Sequence, residues 1–320
     1  MKVVITDYTF PDLEIERSIL EPLNCEIVSG QCKTPEELIE LTADADYVIT
    51  QFAPVSSDVI SAMQKARVIV RYGIGFDNVD CEAAAKKNIP VCNIPEFCID
   101  EVADHTLAFM LSATRNLLAN CNYMRSGKWG LGVSLDEMRC LRDLSVGIIG
   151  FGRIGRAVAE RLVPFKCKVL ACDPVVSPEE VKALGFTYVG LDECLAECDI
   201  VTLHCPSTPQ TRNIINSESL NKMKAGSILI NIGRGDLVDL SALHDALSRG
   251  HISAAALDVF DPEPLPADHR LLGMDNVMVS SHIASASPKA ARTLRESAAN
   301  LVAMAIRGEP LPSVVNGVTM

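Results

Sequence analysis

The sequence predicts an α/β protein of two domains, each a parallel sheet wound on both faces by helices, with a cleft between them. Three observations carry that expectation. At 320 residues the chain is longer than one ordinary core requires and suits two. Short apolar runs alternate with helical stretches in two separate series. The second series opens on Gly150-x-Gly152-x-x-Gly155, set directly between an apolar strand and a helix. Doubly wound sheets of this kind are Rossmann-like or flavodoxin-like, and both domains are expected to belong there.

In the first series residues 3–6, 26–28, 47–50, 68–70 and 91–93 read as strands, because they are short and apolar. Between them 35–43 and 81–87 have helical composition. A long helix is expected over 100–120, where Val102, Ala103, Thr106, Leu107, Met110 and Leu111 approach the i, i+3, i+4, i+7 spacing of one buried face. It would cross between the domains. Residues 125–130, RSGKWG, read as a loop. The second series places strands at 145–149, 168–172, 200–204, 227–231, 254–259 and 277–279, nearly all continuously apolar as parallel strands covered on both faces must be. The last helical stretch, 288–307, has no strand after it and is expected to return to the first domain.

Composition excludes several classes. The formal charge is −12 and Lys and Arg are scattered, so the attraction that drives nucleic-acid binding is missing. No segment reaches the roughly 18 apolar residues of a spanning helix, and the N-terminus meets Asp7 before a signal-like stretch forms. A cytoplasmic protein is expected. Its twelve cysteines contain no C-x-x-C pair, and Cys25, Cys92, Cys167, Cys172 and Cys205 lie in or beside apolar runs. They read as small buried hydrophobes with reduced thiols, not as a disulfide framework or metal site.

The glycine-rich turn implies a dinucleotide. Gly150 permits the tight turn, Gly152 lets a pyrophosphate approach the backbone, and Gly155 lets helix pack on strand, with the phosphates facing the helix N-terminus. Asp173 ends the next strand about twenty residues on, where a carboxylate takes the ribose hydroxyls. It would repel the 2′-phosphate of NADP, and Pro174, Val175 and Val176 offer no arginine to bind one. NAD is the expected cofactor.

Three later residues supply the rest of a hydride-transfer site. Arg234 lies in ILINIGRGDLVD, Glu263 in LDVFDPEP and His282 in VMVSSHIAS. An imidazolium at His282 can give a proton to a carbonyl oxygen as hydride reaches its carbon. Glu263 on the other ring nitrogen would orient the ring and favour its charged form. Arg234, a permanent planar cation, suits a substrate carboxylate and a polarised carbonyl. The set is the minimum for reducing a 2-oxo acid. Of the remaining histidines, His105 reads as a structural helix residue, His204 as a strand-end residue without catalytic role, and His244, His251 and His269 as surface.

At these motifs the chain resembles the D-isomer-specific 2-hydroxyacid dehydrogenases over nearly its whole length. The matching segments are RYGIGFDNVD (71–80), VCNIPEFCIDEVADHTLAFML (91–111), GIIGFGRIG (147–155), LHCPSTPQT (203–211), NIGRGDLVD (231–239), LDVFDPEP (257–264) and HIASAS (282–287). Within the family it looks closest to the branch that includes the C-terminal-binding-protein corepressors. The resemblance implies a substrate domain of residues 1–98 plus 288–320 and an NAD-binding domain of 99–287. It assigns Arg234, Glu263 and His282 the roles argued above. It also gives Gly73, Ile74 and Gly75 as backbone donors to the substrate carboxylate, Arg71 as a substrate contact, and Asp258 as the position that holds the nicotinamide carboxamide. Arg153, Ile154, Cys205, Thr211 and Ile232 are expected to complete the cofactor contacts.

One departure stands out. The family usually has proline before the catalytic histidine, and here Ser281 takes its place, which loosens a rigid turn. The implied activity is NAD-dependent interconversion of a small 2-oxo acid and its D-2-hydroxy acid, by a homodimer whose contact uses residues 102–118 and the arm around Trp129. The alternatives are a 3-phosphoglycerate dehydrogenase and an NAD-sensing, corepressor-like binding protein. The end of the chain at Met320 without a disordered tail, and the lack of a basic patch, favour the enzyme. Side-chain specificity is expected from Gln51, Phe52, Ala53 and residues 72–76, and nothing in their spacing selects one acid.

Overall fold

The computed structural model describes residues 1–319, which divide into two compact units, 1–97 with 287–319 and 98–286. In chain order the first unit begins β1 (Lys2–Ile5), α1 (Glu14–Leu20), β2 (Glu26–Ser29), α2 (Pro35–Thr42), β3 (Tyr47–Thr50), α3 (Ser57–Ala62), β4 (Val68–Arg71), α4 (Cys81–Lys86) and β5 (Val91–Cys92). The second unit carries α5 (Ile99–Thr114), α6 (Leu117–Arg125), β6 (Ser145–Ile149), α7 (Arg153–Leu162), β7 (Lys168–Cys172), α8 (Pro178–Ala183), β8 (Thr187–Tyr188), α9 (Leu191–Glu197), β9 (Ile200–Leu203), α10 (Ser217–Lys222), β10 (Ser227–Asn231), α11 (Leu240–Ser248), β11 (Ile252–Leu257) and β12 (Val277–Val279). The final helix, α12 (Pro288–Arg307), belongs to the first unit.

The first sheet has the order β2-β1-β3-β4-β5, every ladder parallel, which is the flavodoxin-like order. Successive side chains of a strand point to opposite faces, and both faces here are covered. Val3, Ile5, Tyr47, Ile49, Val68 and Val70 join the core that includes Leu294, Ala298 and Val302 of α12. Their neighbours Val4, Val48 and Ile69 join a second core with Leu38, Val59, Ile60 and Ala84 of α2, α3 and α4. That is why these strands read as continuous apolar runs. The order reverses between β1 and β3, so the crevice at their carboxyl ends is where an open α/β sheet binds ligands.

The second sheet, β12-β11-β10-β9-β6-β7-β8, is also wholly parallel and reverses between β6 and β9. Read from β8 towards β12 it has the dinucleotide-fold order with one further strand. Leu170, Val201, Leu203, Leu229 and Leu257 share a core with Cys194, Leu195, Leu220 and Leu243 of α9, α10 and α11.

Three expectations need correction. The helix expected over 100–120 is two, α5 and α6, because Asn116 takes a left-handed backbone with φ 46 and its side chain donates to the Glu137 carbonyl at 2.9 Å. Asn tolerates that conformation and ends helices there. The stretch 102–118 is not one surface either: Val102, Ala103, Thr106, Leu107, Phe109 and Met110 are buried, and α5 packs on α7, β10 and β11. The strand expected at 254–259 runs instead over Ile252–Leu257, its start displaced by a register irregularity opposite Ser227 and Ile228. The two-residue edge strand β8 is additional. No disulfide joins the described residues, and of the five cysteines expected in the core all but the half-buried Cys167 are buried. No described helix is long and apolar enough to cross a membrane.

Candidate active site

The glycine turn sits at the reversal point of the second sheet. Gly150 has φ 95 and donates to the Cys172 carbonyl of β7 at 2.9 Å, and any Cβ there would run into the backbone of His204 and Cys205. A Cβ at Gly155 would strike the Gly150 carbonyl, so helix and turn touch. At Gly152 it would meet nothing within 4 Å, and α7 starts with this residue as its N-cap and no side-chain cap. The first-turn N–H groups of α7 thus adjoin open space, which fits a pyrophosphate. Arg153, exposed, and Ile154, half-buried, form the first positions of that helix.

Asp173 follows β7 and accepts from the N–H groups of Phe151 at 2.7 Å and Val175 at 2.8 Å, which holds a carboxylate against the turn. Cys205 and Ile232 are buried just past the ends of β9 and β10, and burial pushes the Cys205 thiol up to about 11. The Thr211 hydroxyl serves its own loop, donating to the Pro206 carbonyl at 2.6 Å and accepting from Thr208 N–H at 2.8 Å. Desolvation pushes His204 down to about 4, so it stays neutral, bonded to the Thr202 hydroxyl at 2.9 Å.

The three chemistry-bearing residues come from the ends of three adjacent strands. After β10, the fully buried Asn231 closes a turn from both sides: its amide donates to the Arg234 carbonyl at 2.7 Å and its oxygen accepts from Gly233 N–H at 3.1 Å. Arg234 is half-buried there, its Nη1 donating to the Gly233 carbonyl at 2.9 Å. Beyond β11, Glu263 Oε1 accepts from Phe260 N–H at 2.8 Å and Oε2 pairs with His282 Nδ1 at 2.8 Å. Burial pushes the Glu263 carboxyl up, but the His282 hydrogen bond and charge, the Phe260 N–H and the Arg234 cation outweigh it and hold the group below its ordinary value. His282 follows β12 with φ 56, its N–H donating to the Asp258 carbonyl at 2.7 Å. The carboxylate of Asp258, only 1% exposed, accepts from the Ser280 hydroxyl, from Ile283 N–H at 3.0 Å and from Ala284 N–H at 2.9 Å. Its oxygens face the turn that carries His282.

In the first unit the loop after β4 is anchored from below. The Tyr72 hydroxyl donates at 2.8 Å to the fully buried Glu16, which also accepts from Arg295 of α12 at 2.7 Å. Gly73 has φ 150, and a side chain there would collide with the Arg71 guanidinium. The Gly73 carbonyl accepts from Ile94 N–H at 2.9 Å and the Ile74 carbonyl from the Asn93 amide at 2.6 Å. In a trans peptide N–H points opposite to C=O, so the amides of Ile74 and Gly75 point the other way. Arg71, 9% exposed, lies 5.8 Å over the ring of Phe52. The Phe52 loop is fixed by Asp7, whose carboxylate accepts from the N–H groups of Gln51 at 2.9 Å, Phe52 at 2.6 Å and Ala53 at 3.1 Å.

Asp7, Asn231, Ser280 and His105 were not singled out as site residues from the sequence. For Asp7 and Asn231 a signal existed: each is a polar residue at or just past the end of an apolar strand, where open sheets build sites.

Residues 107–284 match the family model for the NAD binding domain of D-isomer specific 2-hydroxyacid dehydrogenases. A glyoxylate reductase of Korarchaeum cryptofilum is 38% identical over 87% of this chain and 85% of its own. A D-3-phosphoglycerate dehydrogenase of Methanocaldococcus jannaschii is 37% identical over 99% of this chain, which spans 59% of that protein. Among solved structures, the D-lactate dehydrogenase of Aquifex aeolicus complexed with NAD and lactic acid superposes with TM-score 0.86 at 31% identity, covering 96% of each chain. The glycine turn, the strand-end triad and these likenesses lead to one conclusion: the chain belongs to the D-isomer specific 2-hydroxyacid dehydrogenases and is an NAD-dependent oxidoreductase.

Proposed function

We propose that the protein interconverts a small 2-oxo acid and its D-2-hydroxy acid, with His282 as general acid in reduction and general base in oxidation. The observation that carries the reading is the 2.8 Å bond from His282 Nδ1 to Glu263 at the strand ends that also present Arg234. When bound, the nicotinamide supplies or accepts the hydride. His282 Nε2 gives its proton to the carbonyl oxygen, so no free alkoxide forms. Glu263 orients the ring and stabilises the imidazolium, while Arg234 binds the carboxylate and polarises the carbonyl. In the substrate domain the amides of Ile74 and Gly75, turned outward by Asn93 and Ile94, and the Arg71 cation suit a carboxylate, whereas the Gly73 N–H donates to the Arg71 carbonyl at 2.9 Å, so Gly73 gives the loop its shape and not the donor expected of it.

In this reading residues 1–98 plus 288–320 are the substrate domain and 99–287 the cofactor domain. Gly150, Gly152, Arg153, Ile154 and Gly155 receive the pyrophosphate, Asp173 the ribose, and Cys205, Thr211 and Ile232 line the nucleotide. Asp258 sits at the nicotinamide end. The free thiols of the exposed Cys121 and Cys140 suit the cytoplasm. A second reading, D-3-phosphoglycerate dehydrogenase, is favoured by the likeness to the M. jannaschii protein over nearly this whole chain.

A panel of glyoxylate, pyruvate, hydroxypyruvate, a branched 2-oxo acid and 3-phosphohydroxypyruvate, assayed with NADH and NADPH, tests both. One unphosphorylated acid should be reduced to its D product. With NADH, kcat/KM should exceed that with NADPH at least tenfold, a difference of about 1.4 kcal/mol, less than an unpaired buried charge costs. Equal use of NADPH removes the role given to Asp173, and selective reduction of the phosphorylated acid selects the second reading.

The surface of the cofactor domain supports a homodimer. Leu117, Leu118, Met124, Trp129, Leu131 and Leu135 are exposed within one short stretch, Trp129 to 89%. Exposed apolar patches of this kind mark association sites, and a second copy of the chain is the proposed occupant. Light scattering at micromolar concentration should return twice the mass of one chain; a monomer rules the dimer out.

A further inference from the structure

We propose that His105 on α5 is a positioning residue for this reaction: through the Ser280 hydroxyl and the Asp258 carboxylate it holds the turn that presents His282. The inference rests on the function proposed above and extends it to a histidine with no assigned role. His105 Nε2 lies 3.1 Å from Ser280 Oγ, across 175 positions of sequence. A hydroxyl has one proton to donate, and Ser280 gives its proton to Asp258 Oδ1. Ser280 Oγ is therefore the acceptor towards His105, so Nε2 of His105 carries a proton and donates it. The relay has one direction, His105 to Ser280 to Asp258.

What the relay holds is the reacting turn itself. Asp258 collects three donors from residues 280–284 and offers its own carbonyl to His282 N–H, so four bonds fasten the turn to the end of β11. The turn needs fastening. His282 has φ 56, a sparsely populated conformation that persists only where the surroundings impose it, and Ser281 stands where the family usually has a rigid proline. The His105 ring is itself oriented, edge to face with Phe109 one turn on, centroids 4.6 Å apart. A histidine that only filled the helix face would not need its nitrogen on a hydroxyl two residues before the proton donor.

The test is a double-mutant cycle on kcat for reduction of the preferred 2-oxo acid. His105→Phe keeps the edge-to-face contact and removes the donor; it should lower kcat on the order of tenfold, since small misplacement of a catalytic group is costly. KM for NADH should stay unchanged. His105→Gln, whose amide can donate to Ser280, should recover most of the loss. Ser280→Ala should lower kcat similarly, and adding His105→Phe to it should cost nothing further, because the relay is already cut. Full kcat in His105→Phe, or additive losses in the double variant, overturns the proposal. If His105→Phe does not fold, Ser280→Ala against Ser280→Thr decides: a loss restored by threonine supports the relay, and unchanged kcat in Ser280→Ala ends it. Should His282→Ala leave turnover intact, the proposed function fails instead, whatever His105 does.

Discussion

Replacing His282 with alanine should lower kcat for reduction by about 10² to 10⁴-fold, the usual worth of a positioned general acid, and leave the affinity for NADH nearly unchanged. The separation follows from geometry. His282 and its partner Glu263 lie beyond β12 and β11, whereas the glycine turn and Asp173 lie at the ends of β6 and β7. The left-handed backbone at His282 calls for a control, because alanine enters that region at a cost of roughly 1 to 2 kcal/mol. His282→Asn tolerates the conformation and cannot act as the acid. Equal loss in both variants, with NADH binding measured by fluorescence and melting temperatures near the parent's, assigns the loss to the missing imidazole. A variant with turnover within tenfold of the parent removes His282 from the chemistry.

The strands were legible because a parallel strand covered on both faces must be apolar throughout, and ten of the eleven expected ones keep their place to within about one residue. The exception in position, β11, begins earlier than its apolar run suggested because Ser253 is tied to the Gly226 carbonyl at 2.8 Å and to Arg139 at 3.1 Å. The edge strand β8 was not legible, since two residues give no periodicity. Nor was the break at Asn116, which depends on a carbonyl 21 positions away.

The site divides in the same way. Arg234, Glu263 and His282 announce themselves by residue type within strand-end motifs, and Gly150 by its place between strand and helix. The groups that aim them do not. Asp7 holds the Phe52 loop across 45 positions, and His105 reaches Ser280 across 175, contacts that local sequence cannot encode. Asp258 is the instructive case. The family resemblance gave it a cofactor contact, and local sequence gave no sign that its carboxylate also accepts from Ser280, Ile283 and Ala284, a use set by the turn after β12. A carboxylate with its donors inside the protein can hold His282 in register where Ser281 replaces proline.

The substitution Glu263→Gln should act on the proposed proton donor, His282, without moving it. In the parent, Oε1 is held by Phe260 N–H and Oε2 faces His282 Nδ1. A glutamine must keep its carbonyl oxygen on Phe260, because that position needs an acceptor, and so presents its NH2 group to Nδ1. Nδ1 then has to be the unprotonated nitrogen, and the imidazolium loses both its acceptor and its negative neighbour. With His282 as the proposed acid, reduction needs the imidazolium, so its rate should fall as pH rises and the proton is lost. With the charged form disfavoured, that basic limb of kcat/KM should lie at lower pH in Glu263→Gln than in the parent. On that limb reduction should then be slower in the variant, by less than the roughly 10⁴ measured where an orienting carboxylate also fixes the only productive tautomer of a histidine base. The same pairing bears on Glu263, whose carboxyl is held below its ordinary value against the pull of burial by the His282 hydrogen bond and charge, with the Phe260 N–H and Arg234 adding to them. Profiles of kcat/KM against pH in both proteins decide it: an unmoved basic limb means that Glu263 does not act through His282, and the division of roles between them falls.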